Sequence, residues 1–563
     1  MADVLQDLPV LALDCQAGGS TPAHGDLLEL GWATCTGGGL VGPVRSRWIV
    51  PRTDRPVPWA VRDLTGWTES CLAESVDERQ AWAELRANIV PAAPPAGAPT
   101  VIHYARFELR FLHDLCRRVD CSDGLPLDVI CLHTIAARLF PDLPRRNIRA
   151  LAGYLGHSPD LARRAAGHVE ATAFIWRALL PLLAQRSVDT WDGLKAWLDE
   201  PAPRTRRTRP VFPFASDRRR ALPDGPGVYR FLRRSGDVLY VGKAASVKKR
   251  VASHFRGRVP ANERALELLT QVHEVHPTET ASLVEAALLE TDEIKRLDPP
   301  YNVQLRSAGR HAWFASRDLR EAAPAPDAGH PVGPLPSERA LLPLAALTLL
   351  AEGATATPGL CAAALAVPTA FSAPPRLFDQ GFRDFVADHL GGVEPTAAAR
   401  LARASRALWL LRGRADADAT GTDDGATGGP TEWDLARVRR RLERNLVQTG
   451  LLVRRARFLC WLAEATVAFR ERDMTTARGL VICAGDIRER RELEHVMAIG
   501  DWPRPGCPTH HERQACFDAS VYDRMRVLLT EIHRVQDEGG EAALRVGAHA
   551  FTPERLARLM LTV

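Results

Sequence analysis

Short apolar runs and longer amphipathic stretches alternate in the first third of the chain. Two runs with the length and composition of strands come first, VLALD at 10–14 and LLELGWAT at 27–34. A helical pattern follows at 160–185. Because strands that alternate with helices usually form a sheet covered by those helices, this segment is predicted to be an α/β domain.

A hairpin pattern opens the middle of the chain. The apolar runs at 228–232 and 238–241 flank an Arg-Ser-Gly-Asp turn that contains Gly236, and this arrangement predicts two antiparallel strands. Ser246 follows at a position where its side chain can cap a helix. The remainder of the chain is rich in Ala, Leu and Arg, includes the stretch 434–470, and is predicted to be mainly helical.

Three stretches rich in Pro, Gly and charged residues interrupt these patterns, at 200–221, 321–336 and 412–431. Such compositions cannot bury a core and are typical of linkers. We therefore expect an α/β multidomain protein. Its predicted parts are a domain at 1–195, a linker at 196–221, a small α/β domain at 222–310, a helical region at 333–411, a linker at 412–431 and a helical C-terminal domain at 432–563.

Composition and charge set bounds on this organisation. The 563 residues suffice for about two to four domains, and a formal charge of +5 is too small to imply a polyanionic partner by itself. The eleven cysteines form no Cys-x-x-Cys pair, the start lacks the features of a signal peptide, and the apolar run at 340–351 is too short for a membrane span. We expect a cytoplasmic protein with no membrane partner.

The stretch GDVLYVGKA at 236–244 is a near miss to a nucleotide-binding loop. That loop requires Gly-x-x-x-x-Gly-Lys-Ser/Thr, but here the glycines are one residue too far apart and Ala244 replaces the hydroxyl residue. Lys248, Lys249 and Arg250 follow at the start of a predicted helix, where positive charge opposes the helix dipole. A phosphate contact would favour this placement, and a solvated basic face is the alternative.

The helical pattern at 281–297 places a carboxylate on an apolar stripe. The apolar members of the stripe are Leu283, Ala287, Ile294 and Leu297. Glu290 falls in the same stripe, whereas Glu285 falls outside it and is predicted to be a surface residue. An inward carboxylate is costly unless it is paired or bound to a metal ion. Glu290 is therefore a candidate metal ligand, with a buried salt bridge to Arg250 as the alternative.

Taken together, these motifs resemble the GIY-YIG nuclease domain. The matching residues are Gly227-Val228-Tyr229, Tyr240-Val241-Gly242-Lys243, Arg250, Glu290 and Tyr301-Asn302. The flanking motifs Leu222-Pro223-Asp224-x-Pro226-Gly227 and Tyr301-Asn302-Val303 narrow the resemblance to the UvrC/Cho type of excision-repair nuclease, over about 222–306.

The resemblance implies a role for each matching side chain. Glu290 would bind a single divalent ion, Mg²⁺ or Mn²⁺, and Arg250 would offset charge on the phosphoryl oxygens. Tyr229 would accept a proton from the attacking water with the support of Tyr240, although which tyrosine is the base stays open. The residues expected to bind or position the substrate are Gly242, Lys243, His254 and Asn302. The implied partners are DNA, as a damaged duplex, and a UvrA/UvrB-type damage-recognition complex.

The segment 1–195 resembles the DnaQ-like exonucleases of the DEDDh class, which implies a ribonuclease H-like fold. The motifs that carry this resemblance are LALDCQAGG at 11–19, VPWAVRDLTGWTESCL at 57–72, VIHYARFELRFL at 101–112, the Asp128 region and LARRAAGHVEATAFIW at 161–176.

The catalytic positions of this segment depart from that class. Asp14 is present, but Gln16 replaces the acid two residues on, and Glu108 stands at the next acidic position. Arg163 and His168 occupy the places of the expected His and Asp. Because two-metal hydrolysis needs anionic ligands and a base, this domain is predicted to be catalytically silent or very weak, while still able to hold a DNA strand or a partner.

The favoured function is therefore a metal-dependent DNA endonuclease that nicks one strand, in nucleotide-excision-type repair. One alternative is a 3′–5′ exonuclease of the DnaQ type that the central domain targets, which Gln16, Arg163 and His168 disfavour. The other is a non-catalytic DNA-binding or partner-recruiting repair factor. The joint presence of the tyrosines, Arg250, Glu290 and Asn302 disfavours that second alternative.

Overall fold

The computed structural model describes residues 4–560 except 54, 90–96, 120–123, 158–163, 202–210, 257–261, 304, 306–310, 393, 395, 419–432 and 502–508, and it describes only the backbone at 411–418. The chain divides into two compact units. Unit 1 comprises residues 1–281 and 299–303, and unit 2 comprises residues 282–298 and 304–563.

A five-stranded sheet begins unit 1. Its strands are β1 Val10–Ala17, β2 Leu27–Thr36, β3 Gly39–Trp48, β4 Ala98–Ile102 and β5 Leu127–Cys131. The order is β3-β2-β1-β4-β5, with antiparallel pairing from β1 to β3 and parallel pairing of β1, β4 and β5. The strands predicted at 10–14 and 27–34 are confirmed within β1 and β2.

Helices cover both faces of this sheet. They are α1 Trp59–Thr65, α2 Glu78–Arg86, α3 Ala105–Arg118, α4 Leu132–Leu139, α5 Ile148–Leu155, α6 Ala165–Ala184 and α7 Trp191–Asp199, with a 3₁₀ helix at Glu69–Glu74. Successive residues of β1 point to opposite faces, so Ala12 joins the core that contains Trp176, and Leu13 joins the core that contains Phe111. The predicted α/β fold of this segment is confirmed.

A three-stranded antiparallel sheet follows in unit 1. It consists of β6 Gly227–Leu232, β7 Val238–Ala244 and β8 Glu274–Glu279, in the order β7-β6-β8. The helices of this part are α8 Ser216–Arg220, α9 Val247–His254 and α10 Glu263–Gln271. The predicted hairpin is confirmed. The predicted cap is also confirmed, because Ser246 Oγ accepts a hydrogen bond of 3.2 Å from the Lys249 backbone N–H.

Unit 2 begins with a helix that packs against the C-terminal part of the chain. The helices of unit 2 are α11 Leu283–Leu297, α12 Leu342–Ala351, α13 Pro358–Leu365, α14 Pro375–His389, α15 Ala397–Asp418, α16 Leu435–Leu462, α17 His510–Ala515, α18 Ala519–Asp537 and α19 Pro553–Met560, with 3₁₀ helices at Thr369–Phe371 and Val496–Asp501. Val284 and Leu288 of α11 join a core that includes Phe458 of α16 and Leu528 of α18.

Unit 2 also contains two sheets. The smaller one has the order β10-β9-β11, from β9 Trp313–Ala315, β10 Ala322–Ala323 and β11 Val332–Leu335. The larger one has the order β14-β13-β12-β15-β16, and all of its pairings are antiparallel. Its strands are β12 Thr466–Arg470, β13 Ala477–Cys483, β14 Asp486–Leu493, β15 Glu541–Val546 and β16 His549–Phe551.

Two expectations about this region need correction. The stretch 321–336 was predicted to be a linker but supplies β10 and β11, and Leu335 is buried. The helix predicted over 434–470 ends at Leu462, and Thr466–Arg470 is the central strand of the larger sheet. The C-terminal region is mainly helical, as predicted, but the sequence patterns did not reveal this sheet. Most of the predicted linker at 412–431 lies outside the described residues.

In the part of the chain that the structure describes, every helix is too short or too polar to cross a lipid bilayer.

Candidate functional sites

The β6/β7 hairpin brings the two candidate tyrosines to one face of the small sheet. Tyr229 lies opposite Gly242, and Phe231 lies opposite Tyr240. Residues two apart on a strand share a face, so the rings of Tyr229 and Tyr240 are neighbours, with centroids 6.1 Å apart. A Cβ at Gly242 would lie 2.6 Å from the Tyr229 hydroxyl and 2.8 Å from the Tyr240 ring. Gly242 is therefore required for the two rings to approach each other.

Helix α9 adds a histidine to this face. The Tyr229 hydroxyl lies 2.8 Å from His254 Nε2, and the His254 ring also contacts Phe231 and Tyr240. Burial, together with the charge of Arg250, lowers the pKa of His254 to about 4. His254 is therefore neutral at pH 7, and according to its tautomer its Nε2 can accept a hydrogen bond from the Tyr229 hydroxyl or donate one to the Tyr229 phenolate. Tyr229, Phe231, Tyr240 and His254 form what we call the tyrosine cluster.

Two cationic side chains belong to the same elements as the tyrosine cluster. Arg250 is exposed and precedes His254 by one helical turn on α9, and Lys243 is half-buried next to Gly242 on β7. Side chains four apart lie on one face of a helix, so Arg250 projects on the side of α9 that carries His254. This placement puts positive charge beside the tyrosines, where a phosphate group could bind.

Asn302 holds the strand that carries Tyr240. Its Oδ1 accepts a hydrogen bond of 3.0 Å from the Val241 N–H, and its Nδ2 donates one of 2.9 Å to the Val241 carbonyl. The side chain is buried. Because both ends of the amide are engaged by the backbone of β7, Asn302 is placed to position Tyr240 and Gly242.

Helix α10 connects this region to the exonuclease-like part of unit 1. Glu267 Oε1 accepts a hydrogen bond of 2.7 Å from the Tyr301 hydroxyl, and its Oε2 accepts one of 2.5 Å from Asn147 Nδ2 at the start of α5. Gln271 Nε2 donates to the Tyr301 oxygen at 2.6 Å. Burial and the Glu267 charge raise the pKa of Tyr301, so its hydroxyl remains a donor at neutral pH. We call these residues the Glu267 network.

The candidate metal ligand lies on α11 in unit 2. Glu290 is half-buried in the middle of the helix, as its place on a partly apolar stripe predicted. Among the described residues, no group of three or more His, Cys, Asp and Glu side chains is placed to hold a metal ion. A single carboxylate still fits Mg²⁺, which usually keeps several waters and binds through one or two carboxylates and the phosphates of a substrate.

A second glutamate on this helix, Glu285, corrects an expectation. Glu285 was predicted to be a surface residue, but its side chain is only 10% exposed and pairs with Arg478 at 2.9 Å. The apolar stripe predicted one buried face for α11. The helix instead has a second buried face, which packs against the C-terminal core through Val284 and Leu288.

A cavity of about 780 Å³ lies in the exonuclease-like part of unit 1. Its lining includes three of the degenerate catalytic positions, Asp14, Gln16 and Glu108, together with His168. The structure thus brings these four together, as the resemblance implied. Arg163 lies outside the described residues. We call this space the Asp14 cavity.

The charges of the Asp14 cavity are already compensated within the protein. His168 Nδ1 lies 3.2 Å from an Asp14 carboxylate oxygen. Burial disfavours the charged imidazole, but the Asp14 charge and its hydrogen bond outweigh that cost, and the pKa of His168 is raised. Burial and the charge of Asp14 raise the pKa of Glu108 well above its usual range. Gln16 and His168 add no carboxylate to this cavity, whereas two-metal hydrolysis relies on several anionic ligands.

Two histidines and a glutamate that the sequence motifs did not single out line the same cavity. His103, His133 and Glu267 are all among its lining residues. His103 is buried, its Nε2 lies 2.9 Å from the Arg146 carbonyl oxygen, and its Nδ1 has no hydrogen-bond partner among the described residues. His103 lies in the stretch VIHYARFELRFL, but the resemblance to the DEDDh class drew only on Glu108 in that stretch.

Comparison with known proteins identifies the central region. A family model described as a UvrC-like GIY-YIG domain matches residues 225–303. UvrABC system protein C of Rhizobium meliloti is 52% identical over 85 residues, which are 15% of this chain and 12% of that protein. The resemblance predicted from the sequence is confirmed: the chain contains a GIY-YIG nuclease domain of the UvrC type.

A second relative matches a longer part of the chain and carries both nuclease activities in its name. A protein of Mycobacterium tuberculosis named as a bifunctional exonuclease/endonuclease is 30% identical over 261 residues, which are 45% of this chain and 39% of that protein. The crystal structure of the GIY-YIG N-terminal endonuclease domain of UvrC from Thermotoga maritima, bound to magnesium, is 30% identical and covers 16% of this chain and 93% of that one, with a TM-score of 0.14. The chain thus spans well under half of the length of both curated relatives.

Proposed function

We propose that this protein is a metal-dependent DNA endonuclease that nicks one strand by phosphodiester hydrolysis. The observation that carries the proposal is the 2.8 Å contact between the Tyr229 hydroxyl and His254 Nε2, within the residues that match UvrC-like GIY-YIG domains. A neutral histidine can donate a hydrogen bond to a phenolate, and a tyrosine stabilised in that form is suited to accept a proton from an attacking water.

Each residue of the proposed centre has a chemical task. Tyr229, as the phenolate, accepts the proton of the attacking water, neutral His254 stabilises that phenolate through a hydrogen bond from its Nε2–H, and Tyr240 fixes the Tyr229 ring from the neighbouring strand. Arg250 and Lys243 stabilise the charge that develops on the phosphoryl oxygens. Asn302 keeps β7 in place through its two hydrogen bonds to Val241.

Glu290 is the proposed ligand of a divalent ion, Mg²⁺ or Mn²⁺. When bound, the ion supplies positive charge at the scissile phosphate and at the leaving oxygen. The assignment of Glu290 and Tyr229 to one centre is supported by the family match, since residues 225–303 include both.

Replacement of one glutamate by its amide tests this assignment. We expect Glu290→Gln to abolish nicking of duplex DNA in Mg²⁺, because a neutral amide is a poor ligand for a hard cation. Glu352→Gln is the control, since it makes the same change at an exposed glutamate of unit 2 and leaves Glu290 and the ion pairs of α11 intact. Nicking is measured as conversion of supercoiled plasmid to open circles. Equal nicking by wild type and Glu290→Gln would refute the assigned ligand.

We further propose that the nuclease acts in nucleotide-excision-type repair of damaged duplex DNA. It is supported by the similarity to UvrABC system protein C, over 85 residues. The test compares nicking of damaged and undamaged duplexes with and without a UvrA/UvrB-type damage-recognition system. We expect that system to stimulate incision of the damaged duplex; equal rates in all four reactions would leave an endonuclease without this repair role.

We also propose that the Asp14 cavity has no exonuclease activity of its own. The Asp14–His168 pair and the raised pKa of Glu108 support this proposal, and they disfavour the 3′–5′ exonuclease alternative. A labelled single strand with a free 3′ end should remain intact in Mn²⁺ with the Glu290→Gln protein. Release of mononucleotides that Asp14→Asn abolishes would overturn the proposal.

A further inference from the structure

A groove lined by basic side chains lies between α8 and α9 in unit 1. Its volume is about 410 Å³. Five of its eight lining residues are cationic, namely Arg219, Arg220, Lys248, Lys249 and Arg256, and one, Asp224, is anionic. The groove therefore carries a strong positive charge. We call it the α8–α9 groove.

Helix α8 is anchored firmly enough to form one wall of the groove. The segment before it packs on α9 through Phe212 and Phe214, whose rings lie 5.2 Å and 6.1 Å from that of Phe255. Phe214 is buried. The Arg219 guanidinium stacks 4.5 Å from the Phe255 ring centroid. This wall precedes residue 225, where the family match begins.

The positive charge of the groove is largely uncompensated. Asp224 accepts a hydrogen bond from Ser246 and lies 3.9 Å from Lys249. Within the described residues, Arg219, Arg220, Lys248 and Arg256 form no ion pair. Burial and the neighbouring charge of Arg220 lower the pKa of Arg219. Asp217 offsets part of the Arg219 charge. Cations that outnumber the neighbouring carboxylates still repel one another, and an anionic ligand would relieve that repulsion.

The groove and the tyrosine cluster use different faces of α9. Lys248 and Ala252 are one helical turn apart on the groove side, and Arg256 follows the end of α9. Arg250 and His254 form a separate stripe about 200° around the helix from Lys248 and Ala252. A ligand in the groove is therefore distinct from the phosphate that the tyrosine cluster would bind.

We propose that the α8–α9 groove binds phosphates of the DNA backbone away from the cleaved bond. This inference deepens the proposed nuclease function and rests on it for the identity of the polyanion. Several cations spaced along a groove match the repeating charge of a sugar-phosphate backbone, and such contacts fix the position of a protein on DNA without reading its sequence. An acidic protein segment would be a different ligand, and the test distinguishes it.

The test uses the full chain with Arg220→Gln, Lys248→Gln and Arg256→Gln combined. Arg219 stays unchanged because its ring contact supports α8. Binding of a fluorescent duplex is measured by anisotropy in EDTA over a series of salt concentrations. Each lost phosphate contact should lower the slope of log Kd against log salt concentration by about 0.9, so we expect the slope to fall by about 2 to 3. Affinity at moderate salt should fall by at least about tenfold.

Two control proteins make the result specific. Combined substitution of the exposed Arg186, Arg317 and Arg339 by Gln removes the same charge elsewhere and should leave the slope unchanged. The combined variant Arg220→Lys, Lys248→Arg and Arg256→Lys keeps the charge of the groove but changes the shapes of its side chains. It should retain the wild-type slope, because the slope depends on charge. A wild-type slope and affinity for DNA in the Gln variant would overturn the proposal. The same result is expected if the groove binds an acidic peptide instead of DNA.

Because binding is measured without metal, the groove and the nuclease centre can fail independently. Loss of the salt dependence with no nicking by any protein would support the groove and refute the proposed reaction. With both proposals correct, the Gln variant should show a higher KM and an unchanged single-turnover nicking rate at saturating DNA.

Discussion

Gly242 illustrates how a single residue permits the candidate centre. A methyl group there would lie 2.6 Å from the Tyr229 hydroxyl, closer than a carbon and an oxygen can approach. We predict that Gly242→Ala displaces the Tyr229 hydroxyl and lowers single-turnover nicking by about a hundredfold, since a shift of about 1 Å can have that effect. Gly359→Ala is the control, because it makes the same change where nothing lies within 4 Å of a Cβ and the backbone φ is not positive. A wild-type rate for Gly242→Ala would contradict the assigned geometry.

The Asp14–His168 pair makes a prediction about pH. The pKa of His168 is raised in the folded protein above its ordinary value of 6.5. The pair therefore contributes its full stabilisation below that ordinary value, as long as Asp14 is ionised, and loses it as the pH rises through the raised pKa. We predict that Asp14→Asn destabilises the protein by about 2 kcal/mol near pH 6 and by less near pH 9.

Thermal unfolding of wild type and Asp14→Asn at the two pH values measures this difference. NMR titration gives an independent check, with the His168 signal identified by its loss in His168→Asn. Its midpoint should lie above 6.5 in the wild type and should fall in Asp14→Asn. An equal stability difference at both pH values would show that the pair is not ionic.

At the scale of elements, α10 joins the two parts of unit 1 through Glu267. Its carboxylate accepts hydrogen bonds from Tyr301 and Asn147. We predict that Glu267→Leu leaves both donors unsatisfied and destabilises unit 1 by about 2 to 4 kcal/mol. Hydrogen exchange should become faster in peptides from α5 and from β7, because Asn302 next to Tyr301 holds β7.

Glu263→Leu is the matched control on α10. Its ion pair with Arg145 is exposed, with a glutamate side chain 79% accessible, and exposed pairs contribute at most about 1 kcal/mol. Faster exchange confined to one of the two elements in Glu267→Leu would mean that Glu267 does not link them.

The helix α11 shows why some elements were predicted well and others were not. Its existence follows from its own apolar spacing, but its second buried face is set by residues almost two hundred positions away, such as Arg478. The strand at Thr466–Arg470 was assigned to a helix because a short apolar run after a long helix has no period that distinguishes it. Its pairing with β13 and β15 decides its conformation.

At the scale of the whole molecule, the helix with the proposed metal ligand depends on the C-terminal region. Lys295 of α11 and Asp523 of α18 form a buried ion pair at 2.6 Å, with side chains 8% and 0% exposed. We predict that Asp523→Asn destabilises unit 2 by about 3 to 5 kcal/mol, because it leaves the Lys295 charge buried without compensation. Nicking should fall as well, since Glu290 lies on the same helix.

Urea unfolding and the plasmid assay measure the two effects of Asp523→Asn. Asp537→Asn, an exposed position on α18, is the control and should change neither. Destabilisation with undiminished nicking under folding conditions would show that α11 keeps its place without this ion pair.

Sequence patterns are sufficient to identify the central domain, the hairpin with its two tyrosines, and the α/β character of the first segment. These features depend on local spacing, turn residues and strand alternation, which neighbouring residues encode. Tertiary contacts are required to pair Asp14 with His168, to let Glu267 bridge two parts of unit 1, to bring Glu285 to Arg478, and to complete the basic groove with α8. Each of these depends on which distant side chains meet, because charge compensation and burial are set by three-dimensional packing.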